Sequence, residues 1–158
     1  LLEREPNGNK MRGRENCKSD NRITTPQAWK TGLPEELYPS TYIGDMTLDY
    51  LSSYAESDMK APFFIKCSFP DPHHPFTPPG KYWDMYDPES FEVNLEFGDH
   101  KNPIKPMKKV YQMFLDGVEP ELATSVFMAD KRHIQESMAL TAGMVTMIDD
   151  AIGKILST

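Results

Sequence analysis

The sequence predicts an α/β fold, a mixed sheet with helices on both faces, and three observations favour this class. Residues 62–69 form a short apolar run rich in aromatic side chains, which predicts a buried strand. Residues 40–55 place apolar side chains at spacings of three and four, which predicts an amphipathic helix. A longer stripe of the same kind comprises Ile134, Met138, Thr141, Val145, Ile148, Ile152 and Ile155. We expect that stripe to bury against the sheet that contains residues 62–69.

The helix over residues 40–55 has a clear start signal. Ser40 follows Pro39 and has the side chain of a good N-cap, whose hydroxyl can accept a hydrogen bond from the first turn. Asp45 and Asp49 fall on the face opposite the apolar one, so we expect both carboxylates to be solvated.

A proline-rich loop, residues 70–88, follows the predicted strand. It holds six of the 14 prolines of the chain, and proline both fixes φ and removes a ladder donor. His73 and His74 lie near its start, so two imidazoles are held on a stiff segment just past the carboxyl end of the strand. Ligands bind at such ends in open α/β sheets, which makes this loop the candidate site.

Composition excludes several classes of function. The chain of 158 residues is 39% hydrophobic and 26% charged, as is typical of a globular domain. Its net charge of −7 argues against a general nucleic-acid binder. No apolar run reaches the length of a membrane span, and two cysteines give no disulfide framework.

Two stretches of the sequence resemble a known family. Residues 69–76 read Phe-Pro-Asp-Pro-His-His-Pro-Phe, and together with residues 78–82 and 85–88 they resemble the middle of a sulfatase of the alkaline phosphatase superfamily. Residues 143–156 are similar to a sulfatase helix with an Ile-Asp-Asp-x-Ile-Gly-x-Ile-Leu-like pattern. A weaker match covers residues 32–37 and 40–45, and all the matches come in the order of the family.

The resemblance implies that residues 1–158 are a central piece of a catalytic domain with an alkaline-phosphatase-like mixed sheet. Residues 32–158 would be the part that matches the family, and residues 1–31 an irregular segment or insertion. Sulfatases use a formylglycine nucleophile, made from the Cys or Ser of a Cys/Ser-x-Pro-x-Arg motif, and a divalent ion, usually Ca²⁺. Neither Cys17 nor Cys67 stands in such a motif, so the nucleophile and the metal ligands are expected outside this chain.

The resemblance also assigns one site residue within the proline-rich loop, and the residues of the loop themselves suggest three more. The sulfate-binding histidine of the family occupies the first position of a His-x-Pro unit. That position is His73 here, so the resemblance implies that His73 is both a catalytic and a substrate-binding residue. His74, Asp71 and Lys81 are further candidates for substrate contact. Asp149 and Asp150 could suggest a metal pair, but they lie on a predicted helix beside apolar neighbours, so we expect a structural role and assign no metal ligand.

Three functions are consistent with these residues. The parent protein would be a sulfuric ester hydrolase acting on a small-molecule or carbohydrate sulfate ester. Alternatives are a phosphonate or phosphodiester hydrolase on the same scaffold, and an inactive relative that binds sulfated ligands. Because the nucleophile is expected elsewhere, residues 1–158 alone are predicted to be inactive.

Overall fold

The computed structural model describes residues 6–17, 20–58, 61–94, 99, 101–118 and 126–158. Four α-helices lie in these ranges: α1 (Gly8–Arg12), α2 (Pro39–Glu56), α3 (Lys105–Leu115) and α4 (Lys131–Leu156). Short 3-10 turns occupy Arg14–Asn16, Glu35–Leu37, Gly80–Trp83 and Pro88–Ser90. The sequence places the start of the last helical pattern at residue 119, and residues 119–125 lie outside the described residues.

The expected α/β mixed sheet is wrong for the part of the chain that the structure describes. These residues contain no strand, and their backbone pairing is a single parallel bridge between Ala28 and Phe76. Residues 61–70 are irregular and mostly exposed, with Phe64 92% exposed, so the predicted buried strand is also wrong. Aromatic composition favours an extended backbone, but a strand also needs a partner, and no described segment pairs with this one.

Residues 61–71 instead run antiparallel along α2, from its last turns to its first. The Tyr54 ring lies 4.6 Å from the ring of Phe63, and the Thr47 hydroxyl lies 3.2 Å from Cys67 Sγ. Ser40, in the first turn, donates a hydrogen bond to Asp71. This path brings the proline-rich loop to the start of α2.

The buried face of α4 differs from the one predicted. The stripe residues Met138, Val145 and Ile152 are exposed. The buried residues of α4 are Glu136, Ala139, Leu140, Gly143, Met144 and Met147. They pack against α2 and against the turn Gly80–Trp83, whose Tyr82 and Trp83 enter two small apolar clusters. Small side chains on this face let neighbouring backbone approach closely, and a search for large apolar residues does not detect that.

Gly143 is where the approach between α4 and the turn Gly80–Trp83 is closest. A Cβ built on Gly143 would lie 2.3 Å from the carbonyl oxygen of Tyr82. Backbone cannot rotate out of the way as a flexible side chain can, so the two elements would have to separate. Gly153, on the same helix, has no atom within 4 Å of its Cβ position.

We therefore expect Gly143→Ala to lower the free energy of unfolding by about 1–3 kcal/mol, the usual cost of overpacking. The matched variant Gly153→Ala should raise it by about 0.5–1 kcal/mol, since alanine loses less conformational entropy in a helix. Urea denaturation of both variants measures the difference. Equal stability of Gly143→Ala and the wild type would contradict the close approach.

Glu136 links α4 to the segment that precedes α2. Its side chain is 0% exposed and accepts hydrogen bonds from the backbone N–H groups of Thr24 and Thr25, both at 2.8 Å. Arg132, one turn earlier, donates from Nε at 2.7 Å. The carboxylate therefore has the partners that a buried charge requires.

None of the helices in the described residues is both long and apolar enough to span a bilayer.

Candidate functional site

The His loop, residues 70–77, is the first part of the proline-rich loop and carries both candidate histidines. A turn closes within it, because the backbone N–H of His73 donates to the carbonyl oxygen of Pro70 at 3.3 Å. At its far end the N–H of Phe76 donates to the carbonyl oxygen of Gln27 at 2.8 Å. The peptide bonds before Pro72 and Pro75 are cis. The His loop is therefore attached to Gln27, in the segment before α2, as well as to α2 itself.

The two imidazoles lie side by side. Their ring centroids are 4.3 Å apart, with His73 exposed and His74 half-buried. Nδ1 of His73 lies 2.5 Å from the carbonyl oxygen of His74, and since a carbonyl can only accept, Nδ1–H is the donor. With Nδ1 engaged, Nε2 is the nitrogen of His73 that can meet a ligand. It donates to an anion only when the ring is the imidazolium.

Asp71 is held by protein donors at both of its oxygens. The hydroxyl of Tyr38 donates to Oδ1 at 3.1 Å, and the hydroxyl of Ser40 donates to Oδ2. Burial raises the pKa of Asp71 above its ordinary value, against the opposing effect of these two hydrogen bonds. The predicted N-cap role of Ser40 is wrong: α2 begins at Pro39, and the residue at the N-cap is Tyr38.

Lys81 lies against α4. Its Nζ is 3.3 Å from Asp150 Oδ2 and 4.8 Å from the centre of the Tyr82 ring. The hydrogen bond to Asp150 raises the pKa of Lys81, so the ammonium is retained. The structure thus brings the rings of His73 and His74 together. The Asp71 side chain is instead engaged by Tyr38 and Ser40, and Lys81 contacts a carboxylate of α4. The role of Lys81 in substrate contact stays a prediction.

Asp150 has a structural contact of its own. It accepts a hydrogen bond from the Tyr82 hydroxyl at 2.7 Å, and this bond is the main reason why the pKa of Asp150 lies below its ordinary value. Burial and the same carboxylate raise the pKa of Tyr82 to about 12, so the phenol keeps its proton and remains a donor. The contact fastens the turn Gly80–Trp83 to α4.

A metal site needs several donor side chains that converge on one point. Within the ranges given above, no group of three or more His, Cys, Asp or Glu side chains comes together in a way that could hold a metal ion. Cys67 is half-buried beside Thr47, and Cys17 is also a free thiol. The described part of the chain therefore does not offer the donor set that a divalent ion requires.

Two residues of this region could not be found from the sequence. Tyr38 is a buried aromatic residue before a proline, and nothing in its neighbours indicates that it contacts the His loop. Ser40 matched a helix start, which concealed its contact with Asp71. Both contacts join positions more than 30 residues apart, which no local pattern encodes.

Over most of its length the chain is similar to an arylsulfatase and to a protein of the alkaline phosphatase superfamily. It is 30% identical over 125 residues to an arylsulfatase of Clostridium perfringens (strain 13 / Type A), a match that covers 79% of this chain and 23% of the relative. It is 29% identical over 133 residues to the multifunctional alkaline phosphatase superfamily protein PehA of Trinickia caryophylli, covering 79% of this chain and 24% of that relative. No family model matches the chain.

These relatives confirm the resemblance to sulfatases that the sequence predicted. The chain spans about a quarter of the length of the curated relatives it matches. The activity of the whole protein is therefore a matter for proposal.

Proposed function

We propose that the protein containing this chain is a sulfuric ester hydrolase, and that the His loop forms one wall of its sulfate site. The observation that carries the proposal is the similarity to an arylsulfatase over 79% of the chain. A contiguous stretch of 125 residues in a chain of 158 includes the His loop wherever it begins. The substrate would be a small-molecule or carbohydrate sulfate ester.

His73 is the residue proposed to act on the ester. As the imidazolium it would donate from Nε2 to a sulfate oxygen or to the leaving oxygen, while Nδ1–H stays bonded to the carbonyl of His74. Hydrolysis adds water across the sulfur–oxygen bond and releases an alcohol and sulfate. Negative charge develops on the leaving oxygen, and a proton or a hydrogen bond from His73 would stabilise it.

The other candidates have supporting parts in this proposal. The half-buried His74, whose ring lies beside that of His73 at a tilt of 46°, would line the substrate pocket. Lys81 would add positive charge near an anionic substrate, if it exchanges Asp150 for that ligand. Asp71 has both oxygens engaged by protein donors, so its contribution would pass through the His loop. The formylglycine and a divalent ion such as Ca²⁺ would come from residues other than those described.

A comparison of substrates tests this function. We expect the full-length protein to hydrolyse an aryl sulfate with a higher kcat/KM than it shows for the matching aryl phosphodiester or phosphonate monoester. A preference for the phosphorus esters would support the second function, since both ester types present a tetrahedral anion. Binding of the aryl sulfate without release of sulfate would support an inactive, sulfate-binding relative.

A further inference from the structure

A single phenol, that of Tyr38, contacts both ends of the His loop. The Tyr38 hydroxyl lies 3.1 Å from Asp71 Oδ1, near the start of the loop, and 3.2 Å from Thr77 Oγ1, at its end. Tyr38 is 2% exposed and Thr77 is 3% exposed, so their contact is buried, and the contact of Tyr38 with Asp71 is partly buried. His73 and His74 occupy the stretch between the two points of attachment.

The directions of these hydrogen bonds follow from the chemistry of the groups. A carboxylate oxygen only accepts, so the single proton of the phenol goes to Asp71. Thr77 must then donate to the phenol oxygen, which gives a chain from Thr77 through Tyr38 to Asp71. Burial and the adjacent Asp71 raise the pKa of Tyr38 above its ordinary value, so the phenol keeps the proton that it donates. Hydrogen bonds in such a chain strengthen one another.

Burying polar side chains costs free energy. A buried hydroxyl or carboxylate loses its hydration, and only specific partners compensate for that loss. Apolar side chains of similar size would pack here without that requirement. What the polar chain adds is direction, because hydrogen bonds fix the two ends of the loop relative to each other.

We propose that Tyr38 is a positioning residue that, through Asp71 and Thr77, holds the His loop in the orientation in which His73 meets the sulfate ester. This inference rests on the proposed function of His73. Tyr38 itself touches no substrate in this account, and its effect on the reaction passes through the backbone of the loop.

The test uses the full-length protein with Tyr38→Phe, and with Tyr50→Phe as a matched control. Tyr50 lies on α2 with its ring exposed, so loss of its hydroxyl should leave the His loop unchanged. Thr77→Val removes only one of the two contacts and serves as a milder second variant. Two quantities are measured for each: amide hydrogen exchange at His73 and Phe76, and kcat and KM for an aryl sulfate at a temperature where every variant is folded.

We expect Tyr38→Phe to speed amide exchange at both positions and to lower kcat by about 10-fold to 10²-fold, the size of effect that small misplacements of reacting groups produce. Thr77→Val should shift both quantities in the same direction by less, and Tyr50→Phe should match the wild type. Unchanged exchange in Tyr38→Phe would overturn the proposal. Faster exchange with an unchanged kcat would overturn it as well, since Tyr38 would then be structural only.

Failure of the proposed function gives a different result. If the wild-type protein itself releases no sulfate from the ester, the hydrolase assignment fails and the positioning role in that reaction fails with it. The exchange measurement then still decides whether Tyr38 holds the two ends of the loop together.

Discussion

Replacement of Glu136 by alanine is expected to lower the free energy of unfolding by about 2–4 kcal/mol, because hydrogen bonds to a charged group contribute about 1.5–3 kcal/mol each. Its ion-pair partner Arg132 is 40% exposed, so that guanidinium is hydrated when the carboxylate is lost. The carboxylate is 0% exposed and accepts from the backbone N–H groups of Thr24 and Thr25. Alanine leaves these donors without their charged acceptor, and the loss is largest for the N–H of the buried Thr25. It also removes one of the contacts that join α4 to the segment before α2.

Glu89→Ala is the matched control for this prediction. Glu89 lies 3.5 Å from the same arginine, Arg132, but its side chain is 77% exposed. Ion pairs of that kind contribute about 0–1 kcal/mol, because water and salt screen them. Guanidinium denaturation of both variants measures the two free energies. Similar small losses in the two variants would show that Glu136 does not carry the structural role assigned to it.

The helices show what a local pattern predicts and what it does not. Apolar spacing predicted α2 over residues 40–55, and the structure has it at Pro39–Glu56. Apolar spacing also predicted a helix at α4, but the predicted buried face was wrong, since Val145 is exposed and Gly143 is buried. Periodicity reports where large apolar side chains recur. It cannot report that Tyr82 approaches α4 so closely that only glycine fits at position 143.

Residues 61–71 show a second limit. Their composition predicted a strand, and that assignment failed because pairing depends on segments far away in sequence. Along this chain the neighbour of the segment is α2, through Tyr54 and Thr47. Nothing in residues 61–71 themselves distinguishes a helix neighbour from a strand neighbour.

The candidate site likewise has features that the sequence predicted and features that it could not predict. Proline density and paired imidazoles marked the His loop from the sequence, because stiffness and side-chain chemistry are local properties. The hydrogen bonds of Tyr38 with Asp71 and Thr77 could not be predicted, since they span 33 and 39 positions. Asp71 was a candidate substrate contact by sequence, and its geometry favours the positioning role proposed above.

The second large effect is expected at His73. In the full-length protein, His73→Ala should reduce turnover of an aryl sulfate by about 10²–10⁴-fold, the usual contribution of a positioned acid–base group. His73 is exposed on the His loop, and its Nδ1 is already bonded to the carbonyl of His74, so Nε2 is available for the ester. Alanine removes that donor without leaving a buried group unpaired, so stability should change little.

His133→Ala provides the control for loss of an imidazole. His133 takes part in the capping box of α4 with Asp130, so its replacement should cost some stability and leave turnover near the wild-type rate. The two variants therefore separate a defect in the site from a defect in folding, and circular dichroism confirms that both are folded at the assay temperature.

Sulfate release from an aryl sulfate, measured side by side for the wild-type protein, His73→Ala and His133→Ala, is the most direct test of the central claim. We expect the rate of sulfate release to fall by about 10²–10⁴-fold in His73→Ala and to stay near the wild-type rate in His133→Ala. A His73→Ala rate close to that of the wild type would remove His73 from the site and would contradict the assignment of the His loop to sulfate ester hydrolysis.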